Sequence, residues 1–292
     1  MDAAVWGNAI MRVIRKITEL RAFVQAQKAS GCSIGLVPTM GYLHEGHLAL
    51  ARKAREDNET VIMTIFVNPL QFGPAEDFDS YPRDLARDRL QAEAAGVDLL
   101  FAPEVEEMYP KQPAAALKVL ARTNCLCGKK RPGHFDGVAT VLTKLFHLMQ
   151  PDRAYFGMKD AQQAAVIEGM VESLNFPLEV VTVETVREAD GLAKSSRNVH
   201  LTPEEREAAP QIYQALLKGQ RMIEQGERHP APIIQEIASH LQKYSRAAID
   251  YVELLSYPEL EPVKTIQGKI ILAAAVKYSA ARLIDNIVMN CE

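Results

Sequence analysis

Along the first two thirds of the chain, short unbroken apolar runs alternate with longer segments whose apolar positions recur every three to four residues. The runs at Ser33–Val37, Thr60–Val67, Val97–Ala102, Arg153–Phe156 and Leu178–Val183 have the length of strands. Thr60–Val67 is β-branched and ends at Asn68-Pro69, where proline cannot continue a ladder. Between these runs the period switches. Helices are predicted from after Gly41 to about Asn58, over Asp84–Ala95, along the face marked by Val138, Val141, Leu142, Leu145, Leu148 and Met149, and along that marked by Ala164, Ile167, Val171 and Leu174. Strands separated by helices need crossover connections, which put the strands parallel with helices on both faces. The predicted class is α/β, a doubly wound parallel sheet of Rossmann-like type.

The pattern changes near Glu184. Arg187–Val199 is polar and without period, and Thr202-Pro203-Glu204-Glu205 then reads as a capped helix start with proline in the first turn. Two helices are predicted beyond it, broken around Gly226–Pro232, followed by strands at Ile249–Leu255, Lys269–Val276 and Leu283–Met289 that read as antiparallel. The amphipathic pattern begins only after Met11, and residues 1–10 lack the basic start and apolar stretch of a signal peptide. The expected organisation is an extension at 1–10, a Rossmann-like domain at 11–186 and a smaller α+β domain at 187–292.

Composition narrows the class without changing this picture. Hydrophobic residues make up 48% and charged residues 24%, as in globular proteins. The longest apolar run, Ile270–Val276, has seven residues, against about 20 for a membrane span, so no membrane partner is expected. A net charge of −4 argues against a nucleic-acid coat. Cys32, Cys125, Cys127 and Cys291 form neither a zinc set nor a disulfide framework, which points to a reducing cytoplasm and a plain structural role for Cys125 and Cys127. The charge is unevenly spread: Lys111–Phe135 carries six basic residues and no acidic one, so this stretch is expected to border a site for anions.

Candidate chemistry lies at the strand ends, where doubly wound sheets bind ligands. The first predicted strand is followed by Pro38-Thr39-Met40-Gly41-Tyr42-Leu43-His44-Glu45-Gly46-His47 rather than by a glycine-rich phosphate loop. If His44 opens the next helix, His47 lies one turn on and on the same face. Two imidazoles at a helix N-terminus suit phosphate oxygens, and Gly46 removes a side chain that would stand between them. Two unrelated surface histidines would have the same spacing. After other strands come Phe66-Val67-Asn68-Pro69-Leu70-Gln71-Phe72-Gly73, where Gln71 suits a small polar substrate, and Gly157-Met158-Lys159-Asp160-Ala161-Gln162-Gln163, with a point charge at Lys159 and a two-sided hydrogen-bonding group at Gln163. Lys194-Ser195-Ser196-Arg197-Asn198 gathers two cations and two hydroxyls fit for a triphosphate.

Taken in order, these segments resemble the pantothenate synthetase (pantoate–β-alanine ligase) family of the His-x-Gly-His nucleotidyltransferase superfamily. The resemblance rests on PTMGYLHEGH at 38–47, IFVNPLQFG at 65–73, DFDSYPRDL at 77–85, RPGHFDGV at 131–138, PDRAYFGMKDAQQ at 151–163 and VREADGLAKSSRNVHLT at 186–202, and it runs from about Met11 to the end, through ARLIDN at 281–286. It implies ATP-dependent joining of (R)-pantoate to β-alanine, giving pantothenate, AMP and pyrophosphate through a pantoyl-adenylate, with Mg²⁺ accompanying ATP, metal ligands unassigned, and a homodimer whose smaller domain acts as a lid. The implied ATP-binding set is Pro38, Met40, Gly41, Tyr42, Leu43, His44, Glu45, Gly46 and His47 with Gly157, Met158, Lys159, Asp160, Val186, Lys194, Ser195, Ser196 and Arg197. His47 corresponds to the family's proton donor. It is assigned to the α-phosphate and His44 to the pyrophosphate side, with Lys159, Ser195, Ser196 and Arg197 as the other catalytic groups. Gln71 and Gln163 would bind pantoate, and Gln71 would also reach β-alanine. A carboxylate nucleophile with a pKa of about 4 is already ionised, so adenylation needs donors and cations more than a base.

Three positions depart from the family pattern. Met158 stands where Glu is usual, Lys194 where Met or Leu is usual, and Cys125 and Cys127 fall in a stretch where an acidic residue is commoner. An added cation at Lys194 could tighten ATP binding or slow pyrophosphate release. A dinucleotide-forming adenylyltransferase shares the histidine loop but gives no reason for Gln71 and Gln163. An ATP-dependent regulator that kept the site and lost turnover is the non-catalytic alternative.

Overall fold

A computed structural model describes residues 11–73 and 78–292; the expected extension at 1–10 lies outside the described residues, as does Asp77 at the start of one motif. In chain order the elements are β1 (Arg12–Ile14), α1 (Ile17–Ala29), β2 (Ile34–Thr39), α2 (Glu45–Asp57), β3 (Thr60–Ile65), α3 (Leu85–Ala94), β4 (Leu99–Phe101), α4 (Val105–Met108), α5 (Leu126–Lys130), α6 (His134–Met149), β5 (Arg153–Gly157), α7 (Ala161–Ser173), β6 (Glu179–Val183), α8 (Pro203–Ala208), α9 (Gln211–Glu224), α10 (Pro230–Tyr244), β7 (Ala248–Ser256), β8 (Gly268–Lys277) and β9 (Arg282–Cys291). They form two compact units, each discontinuous in sequence. The first comprises the chain up to Val119, Arg131–Gly157 and Ile167–Val183; the second comprises Leu120–Lys130, Met158–Val166 and Glu184–Glu292.

The first unit is built on a six-stranded sheet in the order β1-β4-β3-β2-β5-β6, with every pair parallel. Its strands alternate between two cores, as residues of period two must when both faces are covered. Ile34, Leu36, Ile62, Leu99, Phe101, Ala154 and Phe156 pack with Leu20, Phe23 and Val24 of α1 and with α6. Val37, Val61, Met63, Leu100 and Tyr155 face the other way, onto Leu50, Ala51 and Ala54 of α2 and Ala92 of α3. The α/β expectation therefore holds, and the direction of winding reverses between β2 and β5. Pairing of β2 with β5 stops at Leu36, although β2 runs on beside β3 through Pro38 and Thr39. Pro38, which has no N–H, sits where the ladder to β5 has ended, at the carboxyl-end crevice where such sheets bind ligands.

Two expectations change in this unit. Arg12–Ile14 forms a strand that the apolar pattern does not predict, because three residues pairing with Leu99–Phe101 are too few to show alternation. The pattern of α6 predicts one buried face, but Phe135, Gly137, Ala139 and Phe146 are buried as well. The connection before α5 covers its outer side, where the Leu117 and Val119 N–H groups donate to Thr140 Oγ1 and Asp136 Oδ1 at 3.0 and 2.8 Å.

The second unit is an antiparallel sheet, β7-β8-β9, with α9 and α10 on one face. The strands are those expected. Beyond Glu184 the helices number three rather than two: the capped start at Thr202 opens only the short α8, which ends before Pro210, a residue with no N–H to continue it, and α9 begins anew at Gln211. In β8, Ile270, Leu272, Ala274 and Val276 face the helices, whereas Ile271 and Ala273 face Leu126, Ala161 and Ala165, with Cys125 and Met158 packed alongside. Residues 120–130 and 158–166 thus cover the other face of the small sheet, and both faces of β8 are buried. Among the described residues, no helix is long and apolar enough to cross a membrane.

Candidate active site

The chain leaves β2 into a loop that turns through Gly41 (φ +85°) and Tyr42 (φ 50°) before α2 begins. Thr39 anchors it: its N–H donates to Thr64 Oγ1 at 3.1 Å and its hydroxyl to the Thr64 carbonyl at 2.6 Å. Asp88, buried on α3, accepts from the Tyr42 and Leu43 N–H groups at 2.7 Å each. Burial pushes the Asp88 carboxyl above its ordinary value, against the downward pull of these two backbone bonds. Arg87 donates to the Leu43 carbonyl at 3.0 Å and lies over the Tyr42 ring.

His44 is the N-cap of α2, so the expectation that it opens the helix holds. Its Nδ1 accepts from the Gly46 N–H at 3.1 Å, and His47 Nδ1 accepts from the His44 N–H at 3.3 Å, a reciprocal box made by two histidines. Both Nδ1 atoms act as acceptors, so the ring proton of each neutral imidazole sits on Nε2. The rings lie 4.0 Å apart between centroids. A side chain at Gly46 would stand 2.9 Å from His44 Cε1, so glycine there is a steric requirement. Glu45, in the first turn of α2, pairs with Arg52, and its charge suits a helix N-terminus.

Gln71 lies on a single turn of 3₁₀ helix, Pro69–Gln71, capped by Asn68. It is buried; its Nε2 donates to Met40 Sδ at 3.1 Å, and its Oε1 accepts from Asn68 Nδ2 at 3.3 Å, so two expected substrate-handling residues meet. Asn68 also donates to the Gly137 carbonyl at 3.1 Å and accepts from the Tyr109 hydroxyl at 3.0 Å. Burial pushes Tyr109 up to about 12, which keeps it a donor. Gly137 allows α6 to pack on this turn, since a Cβ there would fall 2.2 Å from the Leu70 carbonyl oxygen. His134 Nδ1 lies 2.8 Å from the Gln71 carbonyl and so must donate to it; its Nε2 then accepts from Arg131 at 3.0 Å.

In the second unit, Lys159 stands on the turn Met158–Asp160, with its Nζ 3.6 Å from Asp160. Ser195 caps the turn Ser196–His200, its Oγ accepting from the Arg197 N–H at 3.3 Å. Lys159, Ser195, Asn198 and Asp285 line one small cleft, so two of the expected clusters come together here. Val186 spends its carbonyl on the Lys194 N–H at 2.9 Å. The Lys194 ammonium lies 2.8 Å from Glu188, which neutralises the extra cation. Met158 packs in the apolar cluster below β8, and the Tyr257 hydroxyl donates to its sulfur at 3.8 Å. Gln162 is consumed structurally: its Oε1 accepts from Cys127 and Gly128 N–H, and its Nε2 donates to the Arg122 and Cys125 carbonyls. Gln163, half-buried beside it, makes no side-chain hydrogen bond to another described residue. Burial pushes the Cys125 thiol up to about 11, which keeps it protonated and inert.

Residues to which the sequence assigns no individual role emerge as supports. Asp88, Asn68, Arg131 and His134 brace the first unit's loops, and Arg187, Asp285 and Asn286 brace those of the second. Asp285 and Asn286 lie inside the quoted motif ARLIDN, and Arg131 and His134 inside RPGHFDGV, without a role being evident from spacing.

The sequence model of the family described as Pantoate-beta-alanine ligase matches residues 12–288. The chain belongs to the pantoate–β-alanine ligase family. It is 56% identical over 280 residues to pantothenate synthetase of Geobacillus sp. (strain WCH70), covering 96% of this chain and 99% of the relative, and 56% identical over 280 residues to that of Bacillus subtilis (strain 168), covering 96% and 98%. Among solved structures, pantothenate synthetase from Thermus thermophilus is similar at a TM-score of 0.90 and 48% identity, covering 95% of this chain and 99% of that one. A ligase of this family from Francisella tularensis, complexed with β,γ-ATP and β-alanine, matches at a TM-score of 0.77 and 31% identity, covering 95% and 97%.

Proposed function

We propose that the chain joins (R)-pantoate to β-alanine at the expense of ATP, with the residue roles that follow. A pantoate carboxylate oxygen attacks the α-phosphorus, the bond to the bridging oxygen breaks, and pyrophosphate leaves. The amine of β-alanine then attacks the acyl carbon of the pantoyl-adenylate, and AMP departs with pantothenate left behind. The observation that carries this reading is the reciprocal cap of His44 and His47, which holds two Nε2–H donors at the N-terminus of α2 beside the carboxyl end of β2. Such donors stabilise charge on phosphate oxygens without moving during the reaction. His47 acts on the α-phosphate and His44 on the pyrophosphate side. Lys159 supplies a point charge, and Ser195, Ser196 and Arg197 supply further donors to the triphosphate. Gln71, fixed by Met40 and Asn68, and Gln163, whose amide has no described partner, bind pantoate. Lys194 is left out of this set because Glu188 holds it.

ATP is the substrate, and Mg²⁺ enters with it. The cation would bridge phosphate oxygens of the nucleotide, with its protein ligands unassigned. A homodimer in the cytoplasm completes the reading, and light scattering tests the dimer.

The activity is tested by incubating the protein with ATP, Mg²⁺, pantoate and β-alanine and identifying the products. Pantothenate, AMP and pyrophosphate in equal amounts, with pantoate alone sufficing for ATP–pyrophosphate exchange, is the expected result. A dinucleotide product, or tight ATP binding without turnover, would overturn it.

A further inference from the structure

The geometry points to Asn286, together with Asp285, as a positioning residue that sets where Lys159 and the Ser195–Arg197 turn stand during adenylation. The inference rests on the ATP-handling role proposed above for Lys159. Asn286 Nδ2 donates to two consecutive carbonyls, those of Met158 at 2.9 Å and Lys159 at 3.0 Å. Both donors of one side-chain amide are therefore spent on the turn that carries the lysine. Asp285 accepts from Arg187 Nη1 at 2.6 Å and Nη2 at 2.9 Å, and from the Asn286 N–H at 2.8 Å. Arg187 also donates to the Gly191 carbonyl at 3.1 Å and lies 3.5 Å from the centroid of the Tyr213 ring. It thereby pins the hairpin in which Glu188 N–H donates to the Leu192 carbonyl and Lys194 N–H to that of Val186; Ser195 follows directly.

Neighbouring strand residues point to opposite faces, and the dipeptide uses this. Asp285 is paired across the ladder with Ala274, which faces α9 and α10; Asn286 is paired with Ala273, which faces 158–166. Two alanines leave room for the two polar side chains. One peptide unit of the edge strand β9 thus ties together the two segments that line the cleft of Lys159 and Ser195. Asp285 and Asn286 are both buried, so their side chains serve contacts within the fold. A displacement of about 1 Å in a charge that must meet a leaving group can cost about 10²-fold in rate, which gives such an anchor its value.

The test is a double-mutant cycle on pantoate-dependent ATP–pyrophosphate exchange. Asn286→Ala is expected to lower kcat by about 10- to 100-fold while KM for pantoate stays within about two-fold. Lys159→Ala is expected to lower kcat strongly by itself, and Asn286→Ala in the Lys159→Ala background is expected to cost little more, because the group it positions is gone. Asn286→Ser keeps one donor and serves where the alanine variant does not fold; an intermediate loss with the same non-additivity is expected. Losses that multiply, or a lowered Tm with wild-type kcat in the folded fraction, would reduce Asn286 to a structural residue and overturn the inference. Wild-type turnover in Lys159→Ala would instead sink the ATP-handling reading, whatever Asn286 does.

Discussion

His44 and His47 are held in place by each other and by the helix they begin, through bonds that span two or three residues. Lys159 depends on an asparagine 127 positions away, and the hairpin leading to Ser195 depends on a salt bridge spanning 98. The task proposed for both, presenting donors to a phosphate, rests on a local device in the first unit and on remote anchorage in the second. A local device is fixed as soon as its helix forms. A remote anchor exists only after β8 and β9 have paired in register, so it is lost with any slip of the edge strand.

The largest effect expected from breaking the local device is that of His47→Ala. It removes both an oxyanion donor and the acceptor for the His44 N–H, so the rate of adenylation should fall by about 10²-fold or more. Stability should fall by only about 1 kcal/mol, the usual value of a cap bond. Steady-state kinetics and urea unfolding measure the two separately. Wild-type turnover would remove His47 from the mechanism.

Asp88 is a remote support of the histidine loop, and it sharpens the contrast. Asp88→Asn leaves one acceptor oxygen and turns an amide N–H₂ toward a backbone N–H, so the loop loses at least one bond worth about 1 kcal/mol and activity should fall by about ten-fold. The pH dependence of stability runs the other way. Burial raises the native carboxyl above its unfolded value. The stability it contributes is therefore complete below the unfolded pKa of about 4 and is lost as the pH rises through the native value. The variant lacks this loss, so its stability relative to wild type should improve between pH 3 and pH 7, as read by urea unfolding at several pH values. A relative decline over that range would show that the two backbone bonds outweigh burial.

The contrast also explains what the chain reveals in advance. The alternation of apolar runs exposes the parallel sheet, because strands buried on both faces need no partner information to be visible. The histidine pair is legible because its geometry is written within four residues. Asp285 and Asn286 are visible only as part of ARLIDN. Their partners at Arg187 and Met158–Lys159 follow from the register of β9 and from the hairpin after Val186, and neither is encoded nearby. Residues 120–130 carry two cysteines and no period, so nothing local assigns them to the small sheet. The seven apolar residues of Ile270–Val276 do hold that signal, since a strand apolar at every position must be covered on both faces and the helices α9 and α10 cover only one.

The smallest effect tests the reading of Lys194. In the sequence this cation stands among residues expected to bind phosphate, and its loss would then weaken ATP binding considerably. In the structure it lies 2.8 Å from Glu188, with the two side chains 25% and 37% exposed. A partly exposed pair of this kind contributes up to about 1 kcal/mol, here across the hairpin that Arg187 already pins. Lys194→Met should therefore raise KM for ATP by less than about five-fold, and Glu188→Gln should produce a change of similar size, because each breaks the same pair. The double variant should be no worse than either single one. If instead Lys194→Met weakens ATP binding by more than about ten-fold while Glu188→Gln strengthens it, the ammonium serves the phosphates and Glu188 merely competes for it. The second unit would then hold one of its donors by a local contact after all, and the contrast with the histidine loop would narrow to Lys159.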